Sequence, residues 1–167
     1  SRMEQYAYQD NAFPIAAGQT ISQPYTVAFQ TEQLQVKPGQ SVLEIGTGSG
    51  YQAAILCEMG VKVYSIERQK ELFDASSLLL KKLGYQLVQK YGDGYKGIPA
   101  FAPFDGIVVT AGAPNIPKAL MEQLQIGGKL VIPVGENTQT MIVVSRVSEK
   151  KFTQAKKGAF RFVPMLK

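Results

Sequence analysis

Three glycines at alternate positions, Gly46, Gly48 and Gly50, follow the apolar run that ends at Ile45 and precede residues 52–59, which favour a helix. This order predicts a buried strand, a tight turn and a helix. Glycine tolerates positive φ and has no Cβ, so the backbone of such a turn can approach a ligand closely. The free N–H groups at the helix N-terminus favour an anionic group. The stretch is therefore a candidate ligand-binding turn.

The spacing of these glycines separates two classes of ligand. A dinucleotide-binding turn follows G-x-G-x-x-G, whose last glycine lets the helix pack closely on the strand. Here the pattern is G-x-G-x-G, and Tyr51 stands where that fingerprint has glycine. With Glu44 in front, E-x-G-x-G-x-G resembles the first motif of class I S-adenosylmethionine (SAM) methyltransferases. A glycine turn without a ligand is the simpler alternative.

Carboxylates stand within or at the ends of three predicted strands. Glu67 follows the glycine turn by about 20 residues, where a carboxylate can accept both ribose hydroxyls of a nucleoside; an ion pair with Arg68 is the alternative. Asp93 lies between two glycines and can accept from an adenine amino group, or simply form an Asp-Gly turn. Glu44 lies inside an apolar strand, where a charge needs a partner. We expect that partner to be a cation or N–H donors, including the ammonium of a bound methionine moiety.

Composition excludes several other chemistries. The chain of 167 residues contains no histidine, which removes any Ser-His-Asp triad, Cys-His pair or histidine-based zinc site. The single Cys57 rules out an internal disulfide, fits a reducing cytoplasm and is expected to be a packed thiol. No stretch of about 18 apolar residues is present, so we expect no membrane span. The sequence thus predicts a cytoplasmic protein that binds neither membrane nor metal.

The net charge of +5 is concentrated near the end of the chain, where residues 146–167 carry seven Lys and Arg against the single Glu149. A basic segment can attract nucleic acid or acidic peptides. Lysines that protect an exposed sheet edge are an equally good explanation. No aromatic residues alternate with the basic ones as in base-stacking proteins, so we expect no nucleic-acid partner.

Strands and helices alternate between residues 42 and 134, which predicts an α/β fold with a doubly wound, mostly parallel sheet and an antiparallel C-terminal strand. A helix is expected after Pro24, with Val27, Ala28, Thr31 and Leu34 on its inner side. A second is expected at residues 69–83, with a stripe of Leu72, Ala75, Leu79 and Leu83. Ligands bind beyond the carboxyl ends of such strands, where the glycine turn, Glu67, Asp93, Gly94 and Thr110 converge.

Longer segments make the resemblance specific. Residues 18–24 (Gly-Gln-Thr-Ile-Ser-Gln-Pro), 42–51, 66–68, 92–94, 102–105, 123–135 and 161–164 resemble protein-L-isoaspartate (D-aspartate) O-methyltransferases in order and spacing. The match runs from about Tyr6 to the end, which implies one methyltransferase domain over residues 1–167. Residues 1–40 would form an irregular segment and a helix over the active site, and residues 41–167 the α/β core.

The resemblance implies a set of site residues. Ser22 matches the family's active-site serine. It also contacts the substrate, together with Phe162, Val163 and Pro164. The cofactor residues, taken from the matched motifs and the predicted strand ends, are Thr20, Ile21, Glu44, Gly46, Thr47, Gly48, Ser49, Gly50, Glu67, Arg68, Asp93, Gly94 and Thr110. The implied cofactor is SAM and the product S-adenosyl-L-homocysteine.

The implied reaction methylates the free carboxylate of L-isoaspartyl and D-aspartyl residues in damaged proteins and peptides, which begins their repair. Such a carboxylate is already ionised at pH 7 and needs no general base, in keeping with a chain without histidine. Ser22 would orient the carboxylate by a hydrogen bond, and a helix cap is its simpler role. The alternatives are a methyltransferase for a small molecule and a non-catalytic SAM-binding or peptide-binding domain.

Overall fold

The computed structural model describes residues 13–14, 20–21 and 24–167, with side chains from Pro24 onward. Strands β1 (Phe13–Pro14) and β2 (Thr20–Ile21) pair with each other antiparallel. Helix α1 (Pro24–Leu34) begins at a proline, as favoured in a first helical turn. Ser22, the predicted active-site residue, lies outside the described part of the chain.

The remaining elements alternate as predicted. They are β3 (Ser41–Ile45), α2 (Tyr51–Glu58), β4 (Lys62–Glu67), α3 (Lys70–Lys82), β5 (Val88–Tyr91), β6 (Phe104–Val109), α4 (Lys118–Glu122), β7 (Leu124–Val134), β8 (Gln139–Arg146) and β9 (Phe152–Phe160).

Strands β3 to β9 form one seven-stranded sheet in the order β5-β4-β3-β6-β7-β8-β9. The pairs from β5 to β7 are parallel, whereas β8 pairs antiparallel with both β7 and β9. The predicted α/β fold with a mostly parallel sheet is confirmed, with two antiparallel pairings, β7–β8 and β8–β9, at its C-terminal edge. The chain order reverses between β3 and β6, and a crevice at such a reversal is where open α/β sheets bind ligands.

Two hydrophobic clusters cover the two faces of the sheet. On one face, α1, α2 and α3 pack on β3, β4 and β6 through fully buried residues such as Leu34, Leu56 and Leu80. On the other face, Ile107, Leu120 and Leu130 join a cluster that also includes the loop before β6. Strand residues buried on both faces explain the continuous apolar runs in the sequence.

The predicted inner stripes of two helices need correction. In α3 the buried residues are Leu72, Ser76 and Leu80, whereas Ala75 is exposed and Leu83 is 40% exposed. Leu80 faces inward because it packs against Gly50 at the start of α2.

In α1, Val27 and Leu34 are buried as predicted, but Ala28 is exposed and Gln30 is completely buried. The Gln30 amide donates to the carbonyl of Val109 at 2.9 Å, a partner 79 residues away. Hydropathy alone therefore selected the wrong side of part of each helix.

Candidate active site

A cleft lies at the carboxyl ends of β3, β4 and β6. Eight predicted site residues line it: Gly46, Gly48, Glu67, Arg68, Gly94, Thr110, Val163 and Pro164. The other lining residues were not among the predicted site residues: Ile45, Ile66, Gln69, Leu72, Ala111, Met165 and Leu166. Most of these are apolar, and nothing in their local sequence distinguishes them from core residues. The cleft thus joins the predicted cofactor residues to part of the predicted substrate segment.

Other predicted site residues lie elsewhere. Thr20 and Ile21 belong to β2, whose side chains are not described, and Ser22 lies outside the described residues. Glu44, Thr47, Ser49, Gly50, Asp93 and Phe162 lie close in sequence to the lining but do not form part of it. Their contacts indicate what each of them does.

The glycine turn has the backbone that its sequence predicts. Gly46, Gly48 and Gly50 all have positive φ, at 97°, 56° and 90°. A Cβ at Gly46 would lie 2.5 Å from the hydroxyl oxygen of Thr110, so no larger residue fits there without displacing the turn. Ser49 accepts from the N–H of Tyr51 at 3.3 Å, at the first residue of α2. The turn is held tightly against the end of β6.

Thr110, directly after the neighbouring strand β6, holds the glycine turn. Its hydroxyl lies 2.9 Å from the carbonyl oxygen of Ile45 and 2.8 Å from that of Gly46, and it donates to this pair of acceptors. These contacts span 65 and 64 residues in sequence. Thr110 therefore lines the cleft and also fixes the ends of β3 and β6 together.

Glu67 is the buried carboxylate of the cleft, only 5% exposed. One oxygen accepts from the N–H of Gly48 at 2.9 Å, and the other accepts from the N–H of Gln69 at 2.8 Å. Glu67 therefore ties the glycine turn to the start of α3. Each carboxylate oxygen can accept a second hydrogen bond, so the pair remains able to bind two ligand hydroxyls.

Asp93 shapes the loop that leads to Gly94. Its side chain accepts from the N–H of Tyr95 at 2.9 Å and so caps a short 3-10 turn. A Cβ at Gly94 would lie 2.4 Å from a side-chain carbon of Ile45 and 3.3 Å from the terminal methyl carbon of Met165. Glycine is needed there because the loop backbone packs directly on the cleft wall.

Glu44 lies beneath the glycine turn and is completely buried. Ser65 donates to one of its oxygens at 2.6 Å, and the other oxygen has no hydrogen-bond partner among the described residues. Burial raises the pKa of Glu44 to about 8, with a smaller contribution from the negative charge of Glu67. The expected cationic partner is not found in the described part of the chain, and direct contact with a cofactor stays a prediction.

Thr47 is also buried, and its hydroxyl lies 2.5 Å from that of Ser65. Since Ser65 donates to Glu44, Thr47 is the donor to Ser65. The chain of hydrogen bonds runs from Thr47 through Ser65 to Glu44. It anchors the glycine turn to the interior, so Thr47 supports the cleft from beneath.

Residues 163–166 form the opposite wall of the cleft. Gly112, after β6, donates its N–H to the carbonyl of Val163 at 2.7 Å and accepts from the N–H of Met165 at 2.9 Å. The Tyr95 hydroxyl donates to the carbonyl of Met165 at 3.4 Å. Arg68 donates to the backbone oxygen of Lys167. The segment is thereby held across the carboxyl end of the sheet, beside Gly94.

Two absences apply to the described residues alone. No helix there is long and apolar enough to cross a membrane, and no group of three or more His, Cys, Asp and Glu side chains converges as metal ligands would. Cys57 is half-buried against the face of the sheet that α1, α2 and α3 cover, and burial raises the pKa of its thiol.

A glycine turn and a strand-end carboxylate at the reversal point of a mostly parallel sheet form a nucleoside-binding arrangement, and the G-x-G-x-G spacing at residues 46–50 is that of class I SAM-dependent methyltransferases. The family model described as Protein-L-isoaspartate(D-aspartate) O-methyltransferase (PCMT) matches residues 1–167. The chain belongs to this family.

Individual relatives agree with that assignment. The protein-L-isoaspartate O-methyltransferase of Flavobacterium psychrophilum is 66% identical over 167 residues, which cover 99% of this chain and 78% of the relative. A solved protein-L-isoaspartate O-methyltransferase matches with a TM-score of 0.88 at 28% identity, covering 96% of this chain but only 54% of that chain.

A second solved relative carries a ligand. It is a beta-aspartate methyltransferase (PCMT) from Plasmodium falciparum in complex with S-adenosyl-L-homocysteine. This chain matches it with a TM-score of 0.79 at 27% identity, covering 95% of this chain and 81% of that one.

Proposed function

We propose that this protein transfers the methyl group of SAM to the free carboxylate of L-isoaspartyl and D-aspartyl residues in damaged proteins and peptides. One observation carries the proposal beyond family membership. Glu67 and the glycine turn line the same cleft as Val163 and Pro164, where the family resemblance puts the peptide. A nucleoside and a peptide carboxylate can therefore meet in one space.

The residues of the cleft fit the cofactor. Glu67 would accept the ribose hydroxyls, because its carboxylate retains acceptor capacity beyond the bonds to Gly48 and Gln69. Gly46 and Gly48 leave the backbone bare, so a ligand can contact it directly. Ile66 and Leu72 add an apolar lining suited to a purine ring. SAM would supply a methyl group bound to a positively charged sulfur.

The substrate carboxylate needs no general base, because its reference pKa near 4 leaves it ionised at neutral pH. The reaction joins an anion to a cation, and water would stabilise those separated charges. The protein therefore accelerates it by aligning the two groups and excluding water. Ser22 orients one carboxylate oxygen, so that the other faces the methyl group. Residues 162–164 hold the peptide beside it.

The remaining assignments belong to the same proposal. The chain acts as one methyltransferase domain, with residues 1–40 over the active site and residues 41–167 as the α/β core. The other residues that we propose to contact the cofactor are Thr20, Ile21, Glu44, Thr47, Ser49, Gly50, Arg68, Asp93, Gly94 and Thr110. The protein works in the cytoplasm on damaged proteins, without a nucleic-acid partner. A single cysteine in the whole chain suits that reducing compartment.

The test uses two peptides that differ only in an aspartyl or isoaspartyl linkage, with methyl transfer from labelled SAM as the readout. We expect transfer to the isoaspartyl peptide alone. Ser22→Ala should lower turnover while the affinity for S-adenosyl-L-homocysteine is retained. Equal transfer to both peptides, or transfer to neither with the cofactor bound, would contradict the proposal.

A further inference from the structure

Gln139, the first residue of β8, lies next to the C-terminal segment that forms the wall of the cleft where we propose that the peptide binds. Its side chain is 1% exposed and bonded at both ends. The amide nitrogen lies within 3.1 to 3.4 Å of the carbonyl oxygens of Gly135, Glu136 and Asn137, in the turn between β7 and β8. The amide oxygen accepts from the N–H of Phe162 at 2.6 Å. One buried side chain thus joins the turn to the segment that lines the cleft.

The same side chain packs on Gly112. A Cβ at Gly112 would lie 2.8 Å from both the amide carbon and the amide nitrogen of Gln139. Gly112 in turn exchanges backbone hydrogen bonds with Val163 and Met165. Gln139 therefore supports residues 162–165 directly through Phe162 and also through the glycine that pairs with them.

Few hydrogen bonds to other described residues hold the backbone of this segment. Strand β9 ends at Phe160, so residues 162–165 lie beyond the ladder that holds β9 to β8. Their backbone is held instead by the Gln139 bond, the two Gly112 bonds and the Tyr95 hydroxyl. Met165 and Phe162 also pack on the two hydrophobic clusters, so loss of the Gln139 bond would loosen the backbone of the segment without releasing it.

We propose that Gln139 is a positioning residue for peptide binding, which fixes the place of Val163 and Pro164 on the cleft wall without touching the substrate. This inference rests on the proposed function, because it assumes that the peptide binds along residues 162–164. The Gln139 bonds lie on the peptide side of the cleft, whereas the cofactor side is held by Glu67 and Thr110. Loss of Gln139 should therefore affect the peptide and not the cofactor.

Gln139→Met keeps the length of the side chain and removes its hydrogen bonds. We expect the KM for an isoaspartyl peptide to rise about three- to tenfold, the effect of one net hydrogen bond. The Kd for S-adenosyl-L-homocysteine should stay within about twofold of wild type, since one loosened wall leaves the turn and Glu67 in place. Gln139→Glu keeps an acceptor for the Phe162 N–H, so its peptide KM should lie between those of wild type and Gln139→Met.

The matched control is Arg146→Met. Arg146 also donates to several backbone carbonyls, those of Glu122, Leu124, Ser148 and Glu149, but at the opposite end of β8. The Arg146→Met substitution should lower thermal stability without raising the peptide KM. If Gln139→Met fails to fold, Gln139→Glu is compared with Arg146→Met, and a raised peptide KM in the Gln139 variant alone supports the inference.

A peptide KM that changes equally in the Gln139 and Arg146 variants, or a cofactor Kd that rises as much as the peptide KM, would overturn the inference. Failure of the proposed function is a different result, since the wild-type protein would then methylate no isoaspartyl peptide.

Discussion

At the scale of single residues, the cleft is built by side chains that bond backbone groups from distant parts of the chain. Glu67 accepts from the N–H groups of Gly48 and Gln69, and Thr110 donates to the carbonyls that end β3. When the partner of such a buried backbone group is removed, the free energy of unfolding falls by about 1–3 kcal/mol. The residues that would hold the cofactor therefore also hold the protein together.

Glu67→Gln tests this double role. A glutamine has one acceptor oxygen, so one of the two backbone N–H groups loses its partner, and one ribose contact is lost with it. We expect cofactor affinity to fall by about 1–3 kcal/mol and the free energy of unfolding to fall as well. Calorimetric titration with S-adenosyl-L-homocysteine and chemical unfolding measure the two effects.

Glu71→Gln is the control for Glu67→Gln. Glu71 is exposed in the first turn of α3, so its substitution removes the same charge without removing a buried contact. It should change neither quantity. Unchanged cofactor affinity in Glu67→Gln would show that this carboxylate has a structural role alone.

At the scale of elements, the turn between β3 and α2 fixes how closely a ligand can approach the sheet. Its three glycines have positive φ, and Leu80 of α3 packs on the last of them. The turn is also anchored from beneath by the hydrogen bonds from Thr47 through Ser65 to Glu44. Side chains from β4, β6 and α3 thus hold one short turn in place.

Gly46→Ala compared with Gly39→Ala separates backbone strain from crowding in this turn. Both glycines have positive φ, 97° and 88°, but a Cβ at Gly39 meets nothing within 4 Å, whereas one at Gly46 meets the Thr110 hydroxyl at 2.5 Å. We expect Gly39→Ala to cost about 1–2 kcal/mol of stability and leave cofactor affinity unchanged. Gly46→Ala should cost more and weaken cofactor binding. Equal losses of affinity in the two variants would contradict this.

At the scale of the whole molecule, the sheet is buried between two hydrophobic clusters, and Glu44 is the carboxylate enclosed on the helix-covered side. A buried charge without a counter-ion is costly, so the group stays protonated over a wider range of pH. The pKa of Glu44 is about 8 in the folded protein, against an ordinary value of 4.5. The free energy of unfolding therefore depends on whether Glu44 is protonated.

Between pH 5 and pH 8 the folded protein retains a proton at Glu44 that the unfolded chain has released, so stability falls as the pH rises. Above the folded pKa this loss ends. We expect Glu44→Gln to lose less stability than wild type between pH 5 and pH 9, by up to a few kcal/mol. Urea unfolding at several pH values measures the difference, and parallel pH profiles of the two proteins would refute the assignment.

The sequence by itself determined the order of elements from β3 onward and the parallel arrangement of most of the sheet. Alternating apolar runs and amphipathic segments leave few ways to bury the strands. Glycines with positive φ and the strand-end Glu67 were identified because their roles follow from local backbone geometry and from the common edge where parallel strands end.

Tertiary structure alone decided which side chains meet. Leu80, and not Leu79, faces the core because Gly50 leaves room for it. Thr47 bonds Ser65, 18 residues away, and its hydroxyl is not part of the cleft lining. Gln139 supports Phe162 across 23 residues. Such pairings depend on the packing of strands and turns that are distant in sequence, and a local pattern of residue types carries no information about them.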